Sequence, residues 1–193
     1  MSDTPEVPPA IAAAAGGLSG LEALLKAQGR YPPVDRWNPP YCGDIGMRIR
    51  SDGVWLYQGS PIGRLALVKL FSRVLRRDED GRHYLVTPVE KVDVTVDDAP
   101  FLAVEMEVRG DGPARQLLFR TNVDDVVALG PDHPMRFVEE AAAGGLKPYL
   151  HVRGRLEALV TRALYYDLVE LAELRHDGVL TLRSGGAEFP LAA

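Results

Sequence analysis

The sequence predicts an α+β protein made of two similar units, each a hairpin, a helix and a second hairpin with antiparallel sheets. Three observations support this prediction. Apolar residues follow Ser60 at helical spacing, several short runs alternate apolar and polar residues at strand spacing, and the second half repeats features of the first. A chain of 193 residues can bury one large core or two small ones.

The first predicted helix begins at Ser60, a suitable N-cap, with Pro61 at the first helical position, and runs to about Arg77. Its apolar face contains Leu65, Leu67, Val68, Leu70, Phe71, Val74 and Leu75. Arg64 falls on the same face and therefore needs a partner. Two interpretations stay open: an anion bound at the helix N-terminus, or a structural arginine that forms a buried ion pair or hydrogen-bonds strand carbonyls across the core.

The chain before this helix contains four predicted segments. Residues 1–17 are expected to be a disordered tail, and residues 19–28 a short docking helix that ends at a glycine. Residues 31–40 contain four prolines and should be extended, either as a linker or as a strap across the domain. Residues 47–50 and 54–57 predict a hairpin with a glycine turn, in which Trp55 and Tyr57 share one face.

The chain after the helix predicts four strands, at His83–Val86, 89–96, 101–108 and 115–120. Residues 101–108 show the alternation of a strand. One face carries Phe101, Ala103, Glu105 and Glu107, and the opposite face carries Leu102, Val104, Met106 and Val108. We therefore expect an antiparallel meander with one face in solvent. Residues 122–129 are ambiguous and are interpreted as a short helix capped by Asn122.

The second half repeats the first at nearly constant spacing. Met135 follows Met47 by 135 − 47 = 88 residues, and Arg155 follows Arg64 by 155 − 64 = 91. Gly154-Arg155-Leu156 is thus expected to open a second helix, as Gly63-Arg64-Leu65 opens the first. The predicted units are 18–121 and 122–193, and the two arginines are expected to flank one cleft.

The second helix is predicted over residues 156–174 and is apolar on nearly all sides. Its polar stripe contains Arg155, Arg162 and Tyr166. This stripe either presents two guanidinium groups toward the interface of the two units or forms an internal charge network with Glu170.

Composition excludes several classes of function. The chain has 22 Lys and Arg against 27 Asp and Glu, so a general affinity for duplex nucleic acid or an anionic membrane is disfavoured. Cys42 is the single cysteine, so no disulfide within the chain is expected and a cytoplasmic location is the simpler expectation. No run approaches the length of a membrane-spanning segment.

Five short strings carry a resemblance to a known family: YCGD at 41–44, MRI at 47–49, DGVWLYQGSPI at 52–62, LVTPVEK at 85–91 and HPMR at 133–136. Together they resemble the DUF1285 family of uncharacterised bacterial proteins. The resemblance implies a duplicated α+β core whose C-terminal half is loosely like a pleckstrin-homology domain. It also implies a nucleotide-like ligand between the halves in a signalling role, and no established reaction. Gly46 departs from the family pattern, which has an acidic residue near Asp44.

Aromatic and basic side chains form the candidate ligand site. The predicted binding residues are Arg48, Trp55, Tyr57, Ser60, Arg64, His133, Arg136, Tyr149, His151 and Arg155. Such a mixture suits a planar, anionic, nucleotide-like small molecule held at the interface of the two units, although core aromatics beside long arginines would give the same pattern. No catalytic residue, metal or cofactor is predicted, because the four histidines lack metal-ligand spacing and no Walker loop follows Gly59.

The resulting prediction is a cytoplasmic ligand-binding or regulatory protein. One alternative is a hydrolase of a phosphorylated small molecule that uses His133 or Asp44 as a base. Another is an adaptor that binds a protein partner through a sheet edge or an apolar patch.

Overall fold

The computed structural model describes residues 31–140 and 144–192. The predicted tail and the docking helix lie outside the described residues. The chain divides into two compact units between Asp98 and Ala99, whereas the sequence placed this division between residues 121 and 122. The described part is mostly β-strand with two α-helices, which agrees with the predicted α+β class.

Unit 1 contains one six-stranded sheet and one helix. Its elements are β1 (Tyr41–Ile49), β2 (Trp55–Tyr57), β3 (Ser60–Pro61), α1 (Leu65–Arg73), β4 (Leu75–Arg77), β5 (His83–Val86) and β6 (Lys91–Val96). The sheet order is β3-β2-β1-β6-β5-β4, and β1 lies parallel to β6. The other neighbouring strands are antiparallel.

Unit 2 contains a six-stranded sheet, a helix and a separate three-stranded sheet. Its elements are β7 (Phe101–Arg109), β8 (Gln116–Thr121), β9 (Val126–Ala128), β10 (Met135–Glu140), β11 (Gly145–Arg153), β12 (Leu156–Val160), α2 (Arg162–Leu171), β13 (Glu173–Leu174), β14 (Leu180–Ser184) and β15 (Ala187–Pro190). The larger sheet has the order β10-β11-β12-β7-β8-β9, with β7 and β12 parallel. Strands β13, β14 and β15 form the smaller sheet.

Each sheet is built from antiparallel meanders of three consecutive strands. Two meanders form the sheet of unit 1, and two more form the larger sheet of unit 2 with the same strand order. Starting from β1 or from β10, the chain runs through three strands, a helix and three more strands. The repeat in element order is therefore present, but it consists of meanders rather than hairpins. The first copy forms a single sheet, whereas the two meanders of the second copy belong to two different sheets.

The start of the first helix differs from the prediction. Ser60 and Pro61 form β3, opposite Tyr57 and Leu56, and the Ile62 N–H donates to the carbonyl of Trp55 at 2.9 Å. The prediction of Ser60 as N-cap was therefore wrong, because pairing with β2 replaces the first helical turn. Arg64 occupies the N-cap position and is exposed, so its predicted place on the apolar face, and with it the buried ion pair, was wrong.

The predicted apolar face of α1 is mostly confirmed. Leu67, Val68, Leu70 and Phe71 are buried, and the Phe71 ring stacks on Trp55 with centroids 6.5 Å apart. The helix ends at Arg73, before the predicted end, because Leu75 begins β4 opposite Leu85.

Residues 31–40 form a strap within unit 1. Nη1 of Arg76 donates to the carbonyls of Val34 and Trp37 at 2.7 and 2.8 Å, and the Lys91 N–H donates to the Pro40 carbonyl at 3.0 Å. These bonds hold the proline-rich segment against β4 and β6, as the strap interpretation predicted.

Three other predictions were wrong. The predicted meander is interrupted, because β6 and β7 belong to different sheets. Residues 122–129 form β9 after a tight turn in which Thr121 Oγ1 accepts the Asp125 N–H at 3.0 Å, so they are not a helix. Leu156 opens β12 rather than a helix, since Gly154 (φ 53°) turns the chain back along β11, and α2 begins only at Arg162.

Ser184 is one of the residues that join the small sheet to the larger sheet of unit 2, beside a Gly185 N–H bond to the Arg115 carbonyl and an Arg115–Glu173 ion pair. Buried Ser184 Oγ donates to the Leu129 carbonyl at 2.7 Å and accepts the Leu117 N–H at 2.8 Å.

Among the described residues, no helix is both long and apolar enough to span a membrane.

Candidate functional site

A cleft of about 250 Å³ lies in unit 2 beside the first turn of α2. It is lined by Glu140, Gly145, Leu146, Lys147, Pro148, Leu159, Val160, Arg162, Tyr165 and Tyr166. These residues come from the ends of β10, β11 and β12 and from the start of α2.

The cleft exists because β12 covers only part of β11. The pairing of these strands begins at Tyr149, opposite Leu159, so the first half of β11 has no β12 residue beside it. Pro148 lies where this pairing stops, which suits a residue that has no N–H to donate to a neighbouring strand. The chain turns at Thr161, and the first turn of α2 closes the other side of the opening.

Two cations and one carboxylate line the cleft. Lys147 Nζ lies 3.5 Å from Glu140 Oε1 across the β10–β11 hairpin. Arg162 Nε donates to the Tyr166 hydroxyl at 3.1 Å, and this bond raises the pKa of the Arg162 guanidinium above its usual value. The Arg162–Tyr166 contact agrees with the polar stripe predicted for the second helix.

Apolar surface and phenol rings complete the cleft. Leu146, Pro148, Leu159 and Val160 supply the strand side, while Tyr165 and Tyr166 supply the helix side. Tyr166 is more than half exposed, so its ring is accessible. The cleft thus combines positive charge with a flat apolar wall, the chemistry that suits a ring bearing an acid group.

The structure brings four predicted site residues together as two pairs in unit 2. The rings of His133 and His151 stack with centroids 5.6 Å apart. The His133 Nδ1–H donates to the His151 carbonyl at 3.2 Å, while His151 lies within hydrogen-bond distance of the Asp132 and Gly154 carbonyls. Both rings are therefore bound to the main chain.

The second pair is Arg136 with Tyr149. The Arg136 guanidinium lies 4.4 Å from the centre of the Tyr149 ring and binds both carboxylate oxygens of Glu157 at 2.6 Å. A two-point bond of this kind already satisfies much of the guanidinium. Arg155 lies in the exposed turn between β11 and β12 and is not among the residues that line the cleft.

The predicted residues of unit 1 do not form one pocket. Arg48 binds Asp97 through two bonds of 2.8 and 3.1 Å on one face of the sheet. Trp55 is 1% exposed and lies on the opposite face, because it pairs with Ile49 rather than with Arg48. Tyr57 shares that face, and its hydroxyl accepts a bond from Gln58 Nε2 at 3.1 Å. Ser60 lies on β3 and Arg64 lies just before α1, and both residues are exposed.

The sequence prediction did not include Lys147 and Tyr165, and it listed Arg162 and Tyr166 only as a helix stripe. No local pattern marks Lys147, since a lysine in a strand is ordinarily a solvent-exposed residue. The available signal was Pro148 inside a strand pattern, which marks a place where sheet pairing ends.

Comparisons with known proteins cover nearly the whole described chain. The N-terminal domain model of DUF1285, a domain of unknown function, matches residues 32–99, and the C-terminal domain model matches residues 100–191. The two models meet within a residue or so of the division between the units. A search of curated proteins gave no match.

Two crystal structures of DUF1285 family proteins are similar to this chain. The protein from Silicibacter pomeroyi DSS-3 is 49% identical, with a TM-score of 0.81, over 90% of this chain and 93% of that chain. The protein from Shewanella baltica OS155 is 29% identical, with a TM-score of 0.52, over 65% of this chain and 91% of that chain. The chain therefore belongs to the DUF1285 family.

Proposed function

We propose that the protein binds a small anionic molecule with a ring or other flat apolar part, and that the α2 cleft of unit 2 is the binding site. The observation that carries this proposal is the presence of Lys147, Arg162 and two tyrosines around one apolar opening. The proposed role is regulatory: binding of this molecule acts as a signal.

The charges of the cleft favour an anion. Lys147 and Arg162 give two positive charges against the single carboxylate of Glu140. An incoming carboxylate or phosphate can replace Glu140 as the partner of Lys147 and accept further N–H bonds from Arg162, which has five N–H donors. Because Lys147 and Arg162 are both partly exposed, these bonds form without the desolvation of a deeply buried ion.

The volume of the cleft favours a small ligand. Typical sites for drug-sized molecules occupy roughly 300–1,000 Å³. At about 250 Å³, the α2 cleft is smaller than this range. A single ring with one acid group therefore fits better than a whole nucleotide, and the wider nucleotide-like class stays a prediction.

Binding rather than catalysis is proposed because of the side chains at the cleft. Among the described residues that line it there is no serine, cysteine or histidine, so a nucleophile activated by a histidine is not available there. The hydrolase and adaptor alternatives stay predictions.

The test is a set of thermal-unfolding measurements with three matched probes. Phenyl phosphate carries both the ring and the anion, inorganic phosphate carries the anion alone, and phenol carries the ring alone. We expect phenyl phosphate to raise the melting temperature more than either other probe, because a ligand that binds only the folded state stabilises it. Arg162→Gln and Lys147→Gln should each reduce this rise.

The matched control is Arg109→Gln, which removes an exposed arginine paired with Glu107 on β7, and β7 does not line the cleft. This variant should respond to phenyl phosphate as the unaltered protein does. The proposal is wrong if no probe stabilises the protein, or if Arg162→Gln responds like Arg109→Gln.

A further inference from the structure

A second cleft lies in unit 1 and differs from the α2 cleft in its chemistry. It has a volume of about 300 Å³ and is lined by Asp44, Gly81, Arg82, His83, Asp93, Val94, Thr95 and Val96. Most of its side chains are charged or hydrogen-bonding, and among the described residues that line it there is no phenylalanine, tyrosine or tryptophan. We propose that this polar cleft binds a small zwitterion, with the ammonium group on Asp44 and the carboxylate on Arg82.

The sheet places the carboxylates of the polar cleft side by side. Asp44 on β1 is in register with Asp93 on the parallel strand β6, so both project from the same face of the sheet. Tyr84 on β5 is in register with Asp93 as well. This face carries polar residues, while Val92 and Val94 point to the core and are buried.

Local backbone distortions single out Asp44. The register between β1 and β6 shifts on both sides of this residue, and Gly43 (φ 92°) and Gly46 (φ 78°) flank it in the left-handed region. The positive φ at Gly46 favours glycine, and an added Cβ there would lie 3.3 Å from Gln58, a tight contact. Bulges of this kind redirect a side chain out of the regular sheet, here into the cleft.

The two acids of the polar cleft are not equivalent. Asp93 is satisfied on both oxygens, because the Tyr41 hydroxyl donates to Oδ2 and Arg82 Nη2 donates to Oδ1 at 2.6 Å. Asp44 accepts only the Gly46 N–H, at 2.7 Å on Oδ1, among the bonds found in the described part of the chain. Its second oxygen is therefore the natural acceptor for a ligand ammonium group.

Arg82 supplies the opposite charge. Its side chain is 56% exposed, and its Nη2 donates to Asp93. The guanidinium also hydrogen-bonds to Tyr41 and lies 5.4 Å from the centre of the Tyr84 ring, and its remaining exposed N–H donors can bind a ligand carboxylate. Thr95 lies on the same face as Asp93 and offers an exposed hydroxyl. Burial, followed by the charge of Arg77, lowers the pKa of His83 to about 4, so this ring adds no positive charge near neutral pH.

The charges together favour a ligand of mixed sign. Asp44 and Asp93 give two negative charges and Arg82 gives one positive charge, so the cleft attracts an ammonium group. A simple amine would engage Asp44 but would add no partner for the remaining N–H donors of Arg82. A molecule with both an ammonium and a carboxylate group satisfies Asp44 and Arg82 together. Because little of the lining is apolar, this ligand needs no apolar group.

The test is an NMR titration of the full chain with glycine, β-alanine, L-glutamine and glycylglycine, followed through the amide signals of Gly81, Arg82 and Thr95. The best of these probes is then compared with its analogue lacking the carboxylate and its analogue lacking the amine. For L-glutamine these are 4-aminobutanamide and 4-carbamoylbutanoate. We expect each analogue to bind about tenfold more weakly, which is the usual effect of losing one charge-assisted hydrogen bond.

Two substitutions of the same kind give the control. Asp44→Asn keeps an acceptor for the Gly46 N–H but removes the charge, and it should weaken binding about tenfold. Asp52→Asn makes the same change in the turn after β1, where Asp52 accepts the Val54 N–H at 3.2 Å, and it should leave binding unchanged.

Four results would overturn the zwitterion proposal. These are the absence of shifts at the cleft amides with every probe, shifts confined to other residues, an amine analogue that binds as well as the zwitterion, and unaltered binding by Asp44→Asn. Lys147→Gln should not affect this titration. Failure of the zwitterion proposal is therefore distinguishable from failure of the proposed anion binding in the α2 cleft.

Discussion

The larger sheets of the two units have the same strand order, but their helices follow different strands. In unit 1, α1 connects the two meanders of a single sheet and buries Leu67 and Phe71 within the core. In unit 2, α2 follows the sixth strand of its sheet, buries Leu164 and Leu168, and leads to the separate β13–β15 sheet.

This difference explains the chemistry of the two clefts. A helix that spans the two halves of a sheet covers its apolar face, so the cleft left in unit 1 lies on the polar face. A helix at the exit of a sheet covers the strand ends only in part, so the cleft in unit 2 keeps an apolar wall. The position of the helix in the strand order thus decides which side chains line the cleft of each unit.

The largest expected effect tests the central role of α1 in unit 1. Phe71 is fully buried and stacks on Trp55, so Phe71→Ala should lower the free energy of unfolding by about 4 kcal/mol through lost contacts and a cavity. Urea denaturation measures this change. Leu65→Ala, on the exposed side of the same helix, should cost less than about 0.5 kcal/mol. Similar costs for the two substitutions would contradict the packing of α1 described above.

The next effect tests how the small sheet of unit 2 is held. Ser184→Ala removes both bonds of the serine hydroxyl and leaves the buried Leu117 N–H and Leu129 carbonyl without this partner. We expect a loss of about 2 kcal/mol in the free energy of unfolding. Ser60→Ala, on exposed β3, is the matched control and should have almost no effect. A cost below about 0.5 kcal/mol for Ser184→Ala would show that the small sheet is held by other contacts.

A smaller effect concerns acid sensitivity in unit 1. The pKa of His83 falls from 6.5 to about 4 on folding, so below pH 6.5 the unfolded chain binds this proton more readily than the folded chain. His83 should therefore reduce stability as the pH falls from about 6.5 to about 4. His83→Gln should flatten this part of the stability profile, measured as urea midpoints at several pH values. An unchanged profile would contradict the partial burial of His83.

The smallest effect concerns the Arg136–Glu157 pair in unit 2. Both carboxylate oxygens are engaged, but the arginine side chain is 52% exposed, so water and salt weaken the attraction. A double-mutant cycle with Arg136→Gln and Glu157→Gln should give a coupling of about 0.5 kcal/mol, falling in high salt. A coupling above about 2 kcal/mol would mean that the pair is more shielded from solvent than its exposure indicates.

The strands with clear alternation could be predicted from the sequence. The hairpin of β1 and β2 and the strand β7 were found because the Gly53 turn and the alternation of residues 101–108 are local signals. Ser60 and Pro61 were misassigned because a serine followed by proline suits a helix start as well as a strand edge. Their pairing with Leu56 and Tyr57 decides between the two, and pairing is not a local property.

The candidate site was harder to predict for the same reason. Arg48 and Arg136 looked available for a ligand, but carboxylates 49 and 21 residues further along the chain bind them. Lys147 and Tyr165 meet at one opening only because β12 stops short of the start of β11. Sequence spacing identifies the face of an element, whereas strand register and strand ends decide which faces meet.

The proposed binding of an anionic ring in the α2 cleft of unit 2 can be tested by crystallography. A crystal soaked with 4-iodobenzoate tests it directly, because the anomalous signal of iodine locates the ring without reference to any assumed binding mode. We expect iodine against Tyr165, Tyr166 or Leu159, with the carboxylate within hydrogen-bond distance of Lys147 or Arg162. Iodine bound only at other surfaces, with the α2 cleft empty, would contradict it.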